Sequence, residues 1–345
     1  MKVLYVLSGT TLSGGVRVVY AHAALLRGLG VDAEVVSTGP PSDWAPESYS
    51  FFRRVRALVP EELGSADVAV GTLVTTVPAA ASVPGAIPYH LCQGYEGLYE
   101  PARARWSEIE AIYALPTRKL VVSPHLAELI AERFGQRARL IPQPLDTGLF
   151  HPPAARTPGD GSFRVLLAGQ WEVPVKGVPW ALEALGPLRA ELPGLRLVRL
   201  SQDAPREEIE AWPDAERHVA VPPVRVPEVF RGVDLFVGTS SEAEGFGLPA
   251  LEAMACEVPC VLTDIGAHRC MDPGLQASIR VPDRDGEALR AAVRALASDP
   301  ALRQRLGKGG REIALRYAPK RTGDELLDEF RSALSGPNGR PSPGR

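Results

Sequence analysis

Short apolar runs, each closed by a turn signal and most followed by a helical stretch, recur along this chain, stop once, and then start again. Val3 to Leu7 is bounded by Ser8 and Gly9, and Gly14-Gly15 leads into a helical-looking stretch from Val16 to Leu29. A run without polar alternation is what a strand buried on both faces requires. Further runs follow at Ala33 to Val36, Val68 to Thr72, Ile87 to Leu91, Leu120 to Val122 and Leu140 to Ile141. Strands that alternate with helices predict a doubly wound parallel sheet. Between His151 and Ser162 the pattern breaks, with Pro152, Pro153, Pro158, Gly159 and Gly161 crowded into a stretch that has little to bury, so a linker is expected there. Strand-like runs resume at Val165 to Ala168, Leu195 to Leu200, His218 to Val221, Leu235 to Gly238 and Val258 to Leu262. The 345 residues exceed what a single core usually serves. Two similar α/β halves are therefore predicted, the first over 1–155 and the second over 162–316. A last helix, Thr322 to Leu334, follows Pro319, and the tail 336–345, rich in Pro, Gly, Ser and Arg, is expected to be disordered.

Composition narrows the function classes. With 45% hydrophobic and 23% charged residues and a formal net charge of -3, nothing in the charge balance calls for nucleic acid. Cys92, Cys256, Cys260 and Cys270 are too few and too unevenly placed for a disulfide framework, which fits a reducing compartment. The opening apolar run is too short for a signal-peptide core, and no stretch is long enough to span a bilayer. A cytoplasmic protein is expected, with peripheral contact at the inner face of a membrane left open.

The segment that carries most chemistry is Glu244-Gly245-Phe246-Gly247-Leu248-Pro249-Ala250-Leu251-Glu252, which follows a predicted strand and leads into a helix. Pro249 suits a first-turn position, where its missing N–H costs nothing. Gly245 to Leu248 then form a loop at a helix N-terminus, a place that favours anions such as phosphate. Glu244 precedes the loop and Glu252 lies about one turn inside the helix. Two such carboxylates can accept hydrogen bonds from the hydroxyls of a nucleotide sugar. An acidic cap followed by a buried, partnered glutamate would produce the same sequence.

This segment resembles the retaining glycosyltransferases of family 4, also called glycosyl transferases group 1. The resemblance continues in Gly14-Gly15 and in the stretches Ser123 to Gly135, Leu140 to Phe150, Val226 to Ser241, Val258 to Arg269 and Arg316 to Phe330. It implies the GT-B fold, two Rossmann-like doubly wound domains facing a central cleft, with residues 317–335 crossing back to the first domain. It implies that Glu244 contacts the transferred sugar, that the backbone of Gly245, Phe246, Gly247 and Leu248 meets sugar and diphosphate, and that Glu252 binds the ribose. It further implies a nucleotide-diphosphate sugar as donor and co-substrate, no cofactor and no metal, and transfer of the sugar with retention.

One departure stands out. Relatives carry an Arg just after the first strand of the second half and a Lys a few residues on, both directed at the diphosphate. Lys176 of Lys176-Gly177 matches the Lys, while Gln170 of Gly169-Gln170-Trp171 stands where the Arg is expected. A neutral amide cannot neutralise developing phosphate charge as a cation does. In the first half, Gly14 and Gly15 are either an ordinary strand-to-helix turn or a backbone approach to the donor diphosphate. Gly9 and Gly14 have the spacing of a Walker loop, but Gly15 replaces its lysine, and no G-x-G-x-x-G is present, so a nucleotide hydrolase or nicotinamide enzyme has little local support. After the run ending at Leu91, His90, Gln93, Tyr95 and Glu96 are expected to gather in a loop near an acceptor. Gln93 stands at the position where many relatives have a His, with His90 three residues earlier. Either could take part in transfer, although a lone His is more often structural. His125, at a predicted helix start, is similarly placed.

Three features read as structural. Asp283-Arg284-Asp285 precedes a helix and suits capping rather than metal binding. Cys256, Cys260, His268 and Cys270 lack the paired spacings of a zinc site. Phe51 to Arg56, which mixes aromatic and cationic residues, suits a surface element more than a membrane contact. The resulting expectation is a metal-independent hexosyltransferase with a glycan, lipid-linked or small-molecule acceptor, and with Glu244, Lys176, His90 and Gln93 as the catalytic candidates. A nucleotide-sugar epimerase and a weakened nucleotide-sugar or glycan-binding protein are the alternatives, the latter kept alive by Gln170.

Overall fold

A computed structural model describes residues 1–44, 50–154 and 161–336. In chain order its elements are β1 (Lys2–Leu7), α1 (Gly14–Gly28), β2 (Asp32–Ser37), β3 (Phe52–Arg54), α2 (Pro60–Leu63), β4 (Val68–Gly71), α3 (Val77–Ala81), β5 (Ile87–Cys92), α4 (Trp106–Ala114), β6 (Arg118–Val121), α5 (Pro124–Phe134) and β7 (Ala138–Leu140). There follow β8 (Phe163–Ala168), α6 (Val178–Leu185), α7 (Leu188–Glu191), β9 (Leu195–Ser201), α8 (Arg206–Ala211), β10 (Glu216–Val219), α9 (Val226–Arg231), β11 (Leu235–Gly238), α10 (Leu248–Ala255), β12 (Cys260–Thr263), α11 (Gly266–Met271), β13 (Ser278–Val281), α12 (Gly286–Ser298), α13 (Pro300–Ala314) and α14 (Pro319–Ser335).

Two compact units form, one from Met1–Pro144 with the chain from Pro319 onward, the other from Leu145–Ala318. The division falls ahead of the Pro/Gly-rich stretch that the sequence marks as a linker. Residues following Pro144 are tied to the second unit: Leu145 N–H donates to Tyr317 O at 3.0 Å, and Arg311 donates to Phe150 O at 2.8 Å and Thr147 O at 3.2 Å. Residues 155–160, within that stretch, and residues 337–345 of the tail lie outside the described residues.

Each unit holds one all-parallel sheet, and these match the two doubly wound halves read from the sequence. The first has seven strands in the order β3-β2-β1-β4-β5-β6-β7, the second six in the order β10-β9-β8-β11-β12-β13. Val3, Leu4, Tyr5 and Val6 of β1 and Val165, Leu166 and Leu167 of β8 are almost fully buried, as strands covered on both faces must be. In both sheets the strand order reverses direction beside the first strand of the unit, at β1/β4 and at β8/β11. The loops leaving those strands diverge there and open a crevice, the usual ligand position in such sheets.

One strand, β13, escaped the sequence reading, and another, β3, reads from sequence only as a surface helix or strand. β3 and β13 run for only three and four residues, and Arg53 and Arg280 interrupt them. Arg53 donates to Glu34 Oε1 at 2.7 Å and to the carbonyls of Glu62 and Leu63, while Phe51 is 5% exposed. The aromatic–cation run is thus a paired surface strand with one aromatic turned inward. Among the described residues, no helix is long and apolar enough to cross a membrane.

α14 belongs to the first unit through specific contacts. Tyr89 hydroxyl donates to Glu329 at 2.9 Å, the Tyr89 and Phe330 rings meet edge-to-face at 5.0 Å, and Thr322 hydroxyl donates to Pro142 O at 2.9 Å. In the second unit, α13 lies tightly against α10 and the turn after it. A Cβ at Gly307 would stand 2.4 Å from Glu257 O. The Gly307→Ala variant should therefore lose stability by about 1–3 kcal/mol, with a lowered thermal midpoint as the readout; an unchanged midpoint would mean that α13 does not set the position of α10.

Candidate donor site in the second unit

The loops that leave β8 and β11, the two strands at the switch point, are fastened to each other. Gly177 closes the first loop with φ 63°, a left-handed conformation that glycine adopts without steric cost. Any Cβ there would sit 2.3 Å from Thr239 O, so the loop can press against the end of β11 only with glycine at this position. Thr239 hydroxyl donates to Lys176 O at 3.0 Å, and Ser241 N–H donates to Val175 O at 2.8 Å. The Lys176 side chain is thereby delivered to Glu244, with Nζ 2.5 Å from Oε2, and Ser240 hydroxyl donates to the same oxygen at 2.8 Å.

Glu244 is held as an anion. Burial works to raise its pKa, but the Lys176 ammonium and the hydrogen bonds from Lys176 and Ser240 outweigh it and bring the carboxyl down to about 2. Beyond it the chain turns through Gly245 and Phe246 to Gly247, whose φ of 88° starts α10, with Pro249 in the first turn. Phe246 is buried edge-to-face against Tyr317, with ring centroids 5.4 Å apart. Its aromatic ring thus anchors the loop, and only its backbone is free for a ligand role. Pro249 has no N–H to offer and Ala250 N–H donates to Gly247 O at 2.9 Å, so the Leu248 N–H is the first-turn donor of this eight-residue helix at the crevice end. Glu252, one turn on, is 4% exposed.

His268 completes the surroundings. Its Nδ1 lies 2.8 Å from Thr263 O, which fixes the proton on Nδ1 when the ring is neutral. A Cβ at Gly247 would stand 3.1 Å from its Nε2. Burial lowers its pKa, opposed by the Thr263 carbonyl and the Glu244 charge. The sequence reading handled His268 only as a metal false lead. The signal for its true position was the resemblance of Val258 to Arg269, where the chain returns to the same crevice from β12. Ser240 and Thr239 were missed because a hydroxyl at a strand end carries no pattern of its own.

Gln170 and Lys176 belong to one loop, and Glu244, Gly245, Phe246, Gly247, Leu248 and Glu252 to the other side of the same crevice. Gly14, Gly15, His90 and Gln93 lie in the first unit. There α1 starts at Gly14, capped by Ser13, whose hydroxyl accepts from Val16 N–H at 3.3 Å. Gln93 Nε2 donates to Gly15 O at 3.2 Å, so these two candidates share one crevice end. His90 does not join them. It is inside β5 rather than in the loop after it, fully buried, with its ring 4.5 Å from that of Tyr113. Burial, reinforced by the Lys119 charge, lowers its pKa to about 3, so it stays neutral. β5 is buried on both faces from Tyr89 to Cys92, so a residue inside it lies in the core whichever way its side chain points. Tyr95 is buried as well, and Glu96 accepts from the Tyr113 hydroxyl. His125 is in the first turn of α5.

The structural readings of the remaining features agree with the contacts. Asp285 caps α12 by accepting from Ala288 N–H at 2.9 Å. Cys256 and Cys260 are buried thiols, and no cluster of three or more potential metal ligands occurs among the described residues. A cavity of about 350 Å³ lies along β10 and α9, away from these loops, with its arginines paired: Arg164 with Glu216 and Arg225 with Glu228.

Comparison with known proteins fits this geometry. Residues 162–299 match the family model for glycosyl transferases group 1. That stretch of the second unit is thus similar to a group 1 glycosyltransferase domain. The matched stretch contains Gln170, Lys176, Ser240, Glu244, Glu252 and His268 of the β8/β11 crevice. Over 217 residues the chain is 28% identical to a D-inositol 3-phosphate glycosyltransferase of Segniliparus rotundus, a match that spans 58% of this chain and 48% of that protein. The chain thus covers about half the length of that relative. Two solved structures share the fold. Sucrose-phosphate synthase from Thermosynechococcus elongatus superposes with a TM-score of 0.82 at 17% identity, over 97% of this chain and 99% of the other. Anabaena Alr3699/HepE, solved in complex with UDP-glucose, gives 0.78 at 13% identity, over 96% and 100%. The two units therefore have the GT-B glycosyltransferase fold.

The ionic state of Glu244 makes a testable difference. Its folded pKa of about 2 lies below the ordinary glutamate value of 4.5, so its contribution to stability is present above pH 4.5 and is lost as pH falls through 2. Wild type should lose about 3 kcal/mol relative to Glu244→Gln between pH 5 and 2, read by denaturant unfolding at each pH. Parallel pH profiles for the two proteins would show that Lys176 does not hold the carboxylate.

Proposed function

We propose that this protein is a glycosyltransferase that moves a hexose or deoxyhexose from a nucleotide-diphosphate sugar to an acceptor hydroxyl, with retention of configuration and without a metal. The observation that carries the proposal is the Lys176–Glu244–Ser240 cluster, 2.5 and 2.8 Å across, set at the switch point of the second unit beside the N-terminus of α10. An ammonium and a helix start are suited to a diphosphate, and fixed carboxylates to sugar and ribose hydroxyls. In this reading Lys176 and the Leu248 N–H hold the leaving diphosphate, Glu244 the transferred sugar and Glu252 the ribose.

Retention implies that the acceptor hydroxyl approaches the face of the sugar from which the diphosphate departs, and that the departing phosphate oxygen takes the acceptor proton. Lys176 then serves the chemistry by stabilising charge that grows on the diphosphate in the transition state. The crevice end of the first unit, with Gly14, Gly15 and Gln93, is the proposed acceptor side, where Gln93 orients the attacking hydroxyl. The UDP-glucose bound by the Anabaena structure supports a nucleotide sugar as donor. The acceptor, whether glycan, lipid-linked or small-molecule, the family 4 assignment, the cytoplasmic location and any peripheral membrane contact belong to the same proposal.

A second reading, that of a nucleotide-sugar-binding protein with weak catalysis, is favoured by Gln170 alone. A panel of nucleotide sugars in a thermal-shift assay tests the donor site without an acceptor. One donor should stabilise the protein, by about 2.7 kcal/mol at a hundred times its dissociation constant, and Glu252→Ala should abolish the shift. No stabilisation of a folded wild-type protein by any donor would remove the donor site from the account.

A further inference from the structure

Beneath the loop that carries Gln170 lies an ion pair that neither the sequence motifs nor the proposed mechanism uses. Arg199, in the middle of β9, and Glu208, on α8, are 1% and 0% exposed. Arg199 Nε and Nη2 donate to the two oxygens of Glu208 at 3.0 and 2.9 Å. Burying such a pair is costly, and replacement by apolar side chains is often neutral or stabilising, so stability alone does not explain its presence. The rest of the guanidinium points at the neighbouring strand. Nη2 donates to Gly169 O at 2.7 Å, and Nη1 donates to Leu167 O.

The geometry of one peptide links this pair to the donor site. Gly169 N–H donates to Leu200 O at 3.0 Å, and Gly169 O is held by Arg199, so both polar groups of Gly169 face β9. A trans peptide sends its N–H opposite to its carbonyl. The Gln170 N–H is therefore turned away from the Arg199 guanidinium. Close by, a Cβ at Gly169 would stand 2.9 Å from the Lys176 Cβ, so the Lys176 stem passes directly over this turn. A guanidinium on the carbonyl of a peptide draws charge through it and strengthens its N–H as a donor.

We propose that Arg199, clamped by Glu208, is a positioning residue for the donor diphosphate: it aims and polarises the Gln170 backbone N–H, which takes over the anion contact that an arginine side chain at position 170 would otherwise make. The proposal rests on the reading of this crevice as a nucleotide-diphosphate site. It also removes the ground for regarding Gln170 as a lesion, because the contact passes from the side chain to the backbone.

The test is a double-mutant cycle with UDP, GDP, ADP and TDP as probes, the tightest binder being carried forward together with its nucleoside. Binding of one diphosphate by wild type tests the site itself; the cycle tests the role of Arg199. Because Arg199→Met alone would strand a buried carboxylate, the informative variant is Arg199→Met with Glu208→Leu, checked for a cooperative melt. Arg199→Lys, which keeps the charge but not the fork, is the second variant. We expect both to bind the diphosphate about tenfold more weakly, as for the loss of a charge-assisted hydrogen bond, with the affinity for the nucleoside unchanged. In a Gln170→Arg background the direct cation is restored, and the loss should shrink to less than about threefold. Three results would each overturn the proposal: a folded double variant that binds the diphosphate like wild type, an equal loss for nucleoside and diphosphate, or an undiminished loss in the Gln170→Arg background.

Discussion

The loops after β8 and β11 diverge because strand order reverses between those two strands, and the crevice they form would stay open and featureless without the contact of Gly177 with Thr239. That contact, too close for any side chain at 177, brings Lys176 over the end of the sheet and sets the 2.5 Å ion pair with Glu244. From this one closure follow the ionised state of Glu244, the direction of the loop through Gly247 and the start of α10. The charges on this crevice therefore exist because the backbones of two loops are locked before any ligand arrives. Such fixed charges need little reorganisation when charge develops on a leaving group, which is the condition for effective electrostatic stabilisation.

The same logic extends downward through the domain. Arg199 and Glu208 lie beneath the β8 loop and orient its first peptide, while α13 presses on Met254 of α10 through Gly310 and on the turn after it through Gly307, behind the helix that carries Glu252. His268 arrives from β12 with its tautomer set by Thr263 O and occupies the space beside Gly247. The loops after β8 and β11 are thus supported from three sides by packed or hydrogen-bonded groups. The first unit follows a parallel design, with Gly14 and Gly15 at the start of α1 beside its own switch point and Gln93 Nε2 bound to Gly15 O.

Much of this was legible in the sequence because buried parallel strands are continuous apolar runs. Val3 to Leu7 or Leu235 to Gly238 admits little else when bounded by turn residues. β13 was not legible, and β3 only as a surface element, both being short and interrupted by Arg280 and Arg53, whose partners are distant in sequence. The segment from Glu244 to Glu252 stood out because a glycine loop, a first-turn proline and two carboxylates at fixed spacing have few other uses. His90 shows the opposite case: the strand runs on past it to Cys92 and is buried on both faces there, and where a strand ends is less fixed by sequence than that it exists. Arg199 was illegible for a different reason. An arginine in an apolar run, like Arg196 and Arg199 in β9, looks like a solvent-facing residue, and the burial of Arg199 becomes reasonable only when Glu208 and the carbonyls of Leu167 and Gly169 are seen to satisfy it.

The most direct measurement of the central claim is a crystal structure of the protein with a nucleoside diphosphate bound. The account predicts the terminal phosphate within hydrogen-bonding distance of both Lys176 Nζ and the Gln170 N–H, and the ribose hydroxyls on Glu252. A diphosphate bound away from the β8/β11 loops, or one that touches Lys176 while the Gln170 N–H faces elsewhere, would contradict it.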